Sequence, residues 1–110
     1  MRKIPTELRA ELKADDFMQK CCITGSLGVS WEHCWTYAGK QINERWAIVP
    51  LRRDLNTSHP PKDIKDKCRL ISLERAKELG VWEELKIKYP RHDWEQKLKY
   101  LSSKYEYNTN

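Results

Sequence analysis

The chain has 110 residues, enough for one domain with a modest core and too few for two. Apolar residues make up 39% and charged residues 34%, with five tryptophans and five tyrosines, a mixture too rich in aromatic anchors for a disordered chain. Lysine and arginine outnumber aspartate and glutamate by 21 to 16, a formal charge of +5 that suits an acidic polymer as partner and equally suits a lysine-rich solvated surface.

No apolar run approaches the roughly 20 residues of a membrane span, and Met1-Arg2-Lys3-Ile4-Pro5 is not followed by the apolar stretch of a signal peptide. The expectation is a cytoplasmic protein without a membrane partner. Cys21, Cys22, Cys34 and Cys68 could form two disulfides by count, but adjacent cysteines and the lack of a secretory signal favour reduced thiols.

In chain order, Pro5-Thr6 followed by ELRAELKADDFM predicts a capped helix with Leu8, Leu12 and Phe17 on one side. CCITGSLG breaks that periodicity, with Gly25 and Gly28 marking turns. VSWEHCWTY reads as a strand in which Val29, Trp31, His33 and Trp35 share one face, while Glu32 points the other way unless a bulge intervenes. Ala38-Gly39-Lys40-Gln41 is an expected loop. The β-prone run Trp46-Ala47-Ile48-Val49-Pro50-Leu51 can then return as the second strand of an antiparallel hairpin.

RRDLN has helical character up to Thr57-Ser58-His59-Pro60-Pro61, where two prolines stop any regular element. Three helical segments follow: about Asp63 to Leu79 ending at Gly80, the stretch VWEELKIKY, and DWEQKLKYLSSKY after Pro90. In the last, Trp94, Leu98, Leu101 and Tyr105 recur at helical spacing as a core-facing stripe.

Glu32-His33 on a first strand, a second strand ending in Ile48-Val49-Pro50-Leu51, and Asn56 at a helix start resemble, in order and spacing, the ββα-metal signature of HNH endonucleases. The match runs from about Cys21 to His59, roughly a third of the chain. WTYAGKQINERWAIVPL is similar to a phage and prophage subgroup of that family, and YPRHDW fits the same subgroup. The resemblance implies an α+β protein with one domain over 1–110: a ββα-metal core at about 21–60, flanked by helices, with the C-terminal helical part at about 63–106. It also implies a metal-dependent DNA endonuclease working in the cytoplasm of a bacterial host. By the same resemblance Glu32 and Asn56 bind one divalent cation and His33 activates water. His59 is a further ligand or a phosphate contact, an exposed cap being equally open to it.

The chemistry calls for these residue types. Phosphodiester hydrolysis needs a deprotonated water, neutralisation of charge on the phosphoryl oxygens and help for the leaving 3′ oxygen. Carboxylate and amide oxygens are hard donors suited to Mg²⁺ or Mn²⁺, and an imidazole is the side chain best able to take a proton near neutrality. Against this stands a plain packing role, with His33 wedged between Trp31 and Trp35 and Glu32 solvated.

Departures from the pattern are specific. The asparagine that orients the base on the second strand is replaced by Ala47; Asn43 could take its place only through a different loop geometry, and a turn role serves it equally. Where the subgroup often carries two successive histidines, Leu55-Asn56 stands here. The paired Cys-x-x-Cys positions of a structural zinc knuckle fall on Cys21, Thr24, Arg52 and Leu55, so structural zinc is not expected and Cys21 reads as a buried apolar thiol.

Arg52 and Arg53 are candidates to hold flanking phosphates, with Lys40, Arg45, Lys62, Lys65 and Lys67 extending the positive charge. An exposed basic turn explains the arginine pair as well. The competing function is a catalytically degraded HNH relative that binds nucleic acid or inhibits a host or phage protein.

Overall fold

The computed structural model describes residues 4–56 and 60–106. It is an α+β fold. Helix α1 (Thr6–Lys13) and a 3₁₀ turn (Asp16–Gln19) lead into strand β1 (Val29–His33). A two-residue hairpin follows, β2 (Thr36–Tyr37) and β3 (Lys40–Gln41), then a 3₁₀ turn (Arg45–Ala47) and strand β4 (Ile48–Arg52). Helices α2 (Lys62–Glu78), α3 (Trp82–Lys88) and α4 (Trp94–Leu101) complete the chain, α4 running on into a π-helical turn (Ser102–Glu106).

The expected long first helix is two pieces. Periodicity would carry it to Met18, but Asp15 turns the chain by accepting a hydrogen bond from the Phe17 amide, and the 3₁₀ turn begins there. Thr6 is the first helical residue and makes no side-chain cap; Pro5 stands before it. The later boundaries follow sequence signals closely. Helix α2 ends at Glu78, with Gly80 at φ +74°, the left-handed conformation that glycine adopts at least cost after a helix.

β1 and β4 pair antiparallel in unbroken register, Val29 opposite Arg52 through His33 opposite Ile48. Directly paired residues project to the same face, so Ser30, Glu32, Val49 and Leu51 share one face and Trp31, His33, Ile48 and Pro50 the other. Trp31 and Ile48 pack on Leu8, Leu12 and Met18, under α1. Val49 and Leu51 join the larger core with Leu70, Leu73 and Ala76 of α2. The sheet is thus held between α1 and α2.

Trp35 does not share the face of Trp31 and His33, as strict alternation predicts. The strand ends at His33, and Trp35 enters the α2 and α4 side of the core, donating to Ser72 Oγ at 2.7 Å and meeting Trp94 edge-on at 5.1 Å. The stripe on α4 behaves as expected: Trp94 and Leu101 are buried, and Leu98 and Tyr105 pack against the same core. No helix among the described residues is long and apolar enough to cross a membrane.

Candidate functional site

A cleft of about 400 Å³ opens where the end of β1 meets α2 and the start of α4. Glu32 and His33 both line it, with Lys65 and Arg69 from α2, and His92 and Lys97 from the YPRHDW segment and α4. Neighbours on a strand should face apart, and a bulge was the expected remedy. None is present: all five pairs of the ladder are in register, and His33 occupies the last one, where the sheet stops and both faces border the same opening.

His33 is held by Asn43, the loop residue upstream of the vacant Ala47 position. Its Nε2 lies 2.7 Å from Asn43 Oδ1, so Nε2–H donates to the amide oxygen and the Nδ1 lone pair is left to accept a proton. Asn43 is itself fixed on both sides. Ile42 is buried and donates its amide to the Trp35 carbonyl at 3.0 Å. Glu44 accepts from Trp46 Nε1 at 3.1 Å, Lys88 Nζ at 3.0 Å and the Tyr89 hydroxyl. Burial pushes the Glu44 carboxyl up, but these three donors outweigh it and hold it below its ordinary range.

Glu32 is half-buried and faces α2. Burial raises its pKa above the ordinary carboxylate value, against the opposing charges of Lys65 and Arg69. Among the described residues no donor reaches its carboxylate within hydrogen-bonding distance, so its oxygens are open to a ligand.

Asn56 is not at a helix start. It closes an isolated turn, its amide donating to the Arg52 carbonyl at 3.0 Å, and α2 begins only at Lys62, after the two prolines. Its Nδ2 donates to Ser30 Oγ at 2.7 Å, and Oδ1 has no hydrogen-bond partner among the described residues. Ser30 lies on the same sheet face as Glu32, two residues or about 7 Å away. His59 falls outside the described residues; the next residue described, Pro60, lines the cleft.

The candidate phosphate contacts do not gather at this opening. Arg52 pairs with Val29 at the far end of the sheet, about 13 Å from His33, and is clamped by Asp54 through two bonds of 2.5 and 3.0 Å. Arg53 is exposed in the same turn, Arg45 is tied to Asp15 at 3.0 Å, and Lys40 is exposed on the small hairpin. Lys65 is the member of that basic set that reaches the cleft. Arg69 and Lys97 belong to no motif in the sequence, and His92 enters only within YPRHDW. Four-residue spacing from Lys65 could have pointed to Arg69, but nothing local indicates that α4 returns to the strand end.

The knuckle positions keep their turn without its ligands. Cys21 is buried, yet it is a hydrogen-bond acceptor and not simply an apolar thiol: the Thr24 amide donates to its Sγ at 3.4 Å. Burial pushes this thiol up, but bonds from Thr24, Arg52 and Ile23 outweigh it and leave it below its ordinary value. Cys22, Cys34 and Cys68 converge beside the cleft. Contact with Cys22 and burial push the Cys68 thiol up, and burial does the same to Cys34, so both stay protonated. All four cysteines are free, and among the described residues no three His, Cys, Asp or Glu side chains form a group that could hold a metal ion.

Comparison with protein-family models, with curated proteins and with solved structures gave no match.

Proposed function

We propose that this chain is a ββα-metal endonuclease of HNH type, hydrolysing DNA phosphodiester bonds with a divalent cation. The observation that carries the reading is the pairing of His33 with Asn43 at the mouth of a cleft also lined by Glu32. A histidine oriented by an amide, lining the same cleft as a carboxylate that no described donor bonds, is an arrangement that suits a general base for water. Two antiparallel strands followed by helix α2 packed on their inner face supply the ββα order.

The residues present fit Mg²⁺ or Mn²⁺. Glu32 is a hard oxygen donor in the cleft, and Asn56, outside the cleft lining but bonded to Ser30 on the same sheet face as Glu32, carries a second; such ions keep several waters and take only one or two protein oxygens beside substrate phosphates. When bound, the cation would neutralise charge on the phosphoryl and leaving oxygens. The chain's own contribution is to accept the water's proton at His33 Nδ1, to hold that ring through Asn43, and to present positive charge from α2 to the strand.

One observation favours a second reading. Lys65 and Arg69 stand against Glu32, and positive charge there opposes a cation in the absence of substrate. A degraded relative that binds nucleic acid without cutting it would look the same. Plasmid nicking in Mg²⁺, in Mn²⁺ and in EDTA decides between them: cleavage that needs metal supports the nuclease, and binding without cleavage in every metal supports the alternative.

A further inference from the structure

Three cations converge on the cleft with one carboxylate between them. Glu32 is the only acidic side chain among its described lining residues, against Lys65, Arg69 and Lys97. Two of these heads are placed by a single ring. The Arg69 guanidinium carbon lies 5.4 Å from the Trp35 centroid and the Lys97 Nζ 5.8 Å from it. That ring is buried and fixed by its bond to Ser72.

Arg69 is further tied by Nε–H donating to the Cys34 carbonyl at 3.3 Å. Asp66 stands behind it, Oδ1 at 3.6 Å from the guanidinium, while Oδ2 takes Lys62 at 2.7 Å, the Tyr105 hydroxyl at 3.1 Å and Lys104 at 3.7 Å, so one carboxylate is shared among three cations. Glu32 and a shared Asp66 therefore offset only part of the positive charge at the cleft. Like charges held in place by helix packing repel one another, and an anion entering between them relieves that repulsion.

We infer that Lys65, Arg69 and Lys97 form a clamp for the backbone phosphates of a nucleic-acid strand, and that this wall of the cleft, not the Arg52-Arg53 turn, guides the strand past His33. The inference rests on the proposed function for its direction, since the clamp lies beside the residues given the chemistry. Arg52 is compensated by Asp54 and sits at the opposite end of the sheet, whereas the clamp cations come from α2 and α4 and face the same opening as Glu32. The shared chemistry is the phosphodiester backbone, so DNA and RNA are both candidates.

The test is fluorescence anisotropy in EDTA with a labelled single-stranded DNA, its duplex and the matching RNA, across a salt series. The Lys65→Gln/Lys97→Gln variant should bind its preferred polymer about tenfold or more weakly near 0.1 M salt, with a log-log salt slope lower by up to about two units. Both side chains line an open cleft, so a melting temperature equal to wild type verifies the fold. Glu32→Gln should bind more tightly than wild type, because the one opposing carboxylate is gone. Arg52→Gln/Arg53→Gln should lose less than the lysine pair.

Unchanged affinity and slope in the lysine variant, or no binding of any of the three polymers by wild type, overturns the clamp. The polymer bound best identifies the source of the phosphates. Chelator keeps this measurement apart from cleavage. A protein that nicks plasmid but is indifferent to the lysine variant keeps the nuclease and loses the clamp; one that never cuts but loses affinity on substitution does the reverse.

Discussion

Two carboxylates, Asp15 and Glu32, show how differently this fold treats an acid taken from water. Asp15 is saturated: Oδ1 accepts from the Phe17 amide at 3.0 Å, and Oδ2 accepts from Arg45 at 3.0 Å and Arg75 at 2.6 Å. Those bonds join the end of α1, the turn before β4 and helix α2 at one point. Glu32 is half-buried beside Lys65 and Arg69, yet no donor among the described residues bonds it. A buried charge is tolerated when its lone pairs are filled, and costs stability when they are not. The contrast separates an acid bonded into the architecture from one that no described donor bonds.

The largest expected effect tests the open site. His33→Ala should lower the plasmid-nicking rate by about 10²- to 10⁴-fold while leaving the fold nearly unchanged, since the ring lies at the end of the sheet. A wild-type rate in the variant removes His33 from the chemistry.

The closed site should break differently. Asp15→Ala strands Arg75, whose side chain is only 13% exposed, and should cost about 3 to 5 kcal/mol of stability by urea unfolding. A loss under about 1 kcal/mol would show that Asp15 is not the staple its bonds suggest.

Glu32→Gln should move stability the other way, by a smaller amount, under about 1 kcal/mol. The folded protein holds the Glu32 pKa above its ordinary value of 4.5, so this group's favourable contribution is complete at low pH and is lost as pH rises through the folded-state pKa. At neutral pH the variant should therefore melt higher than wild type, and the gain should vanish as pH falls below 4.5. The same substitution should raise the Mg²⁺ concentration needed for half-maximal cleavage. A variant that melts lower at neutral pH would mean that Glu32 is as well satisfied as Asp15.

The smallest expected effect is none at all. Melting in chelator should match melting without it, and elemental measurement should find no stoichiometric zinc, because Thr24, Arg52 and Leu55 stand at three knuckle positions and the Cys21 sulfur takes its hydrogen bond from the Thr24 amide. About one tightly held zinc per chain would point instead to the converging thiols of Cys22, Cys34 and Cys68.

What the sequence by itself determined is what short-range physics controls. Gly80 ends α2, alternation marks β1, a continuous β-prone apolar run marks β4, and the Trp94, Leu98, Leu101 and Tyr105 spacing names the face that α4 and the turn after it bury. It failed where local preference met a distant partner. Helical character at RRDLN gave way to a turn tied to β1 through Asn56 and Ser30. Asp15 interrupted a helix whose periodicity continued. Trp35 left its strand because Ser72 and Trp94 awaited it.

The site divides along the same line. Adjacent Glu32 and His33 were legible because sequence makes them neighbours. That Asn43 orients His33 from ten residues away, and that Arg69 and Lys97 meet on one indole, were decided only by tertiary structure. A side chain's hydrogen-bond partner and the cations that share its cleft depend on how helices close over a sheet, and no local pattern encodes that closure.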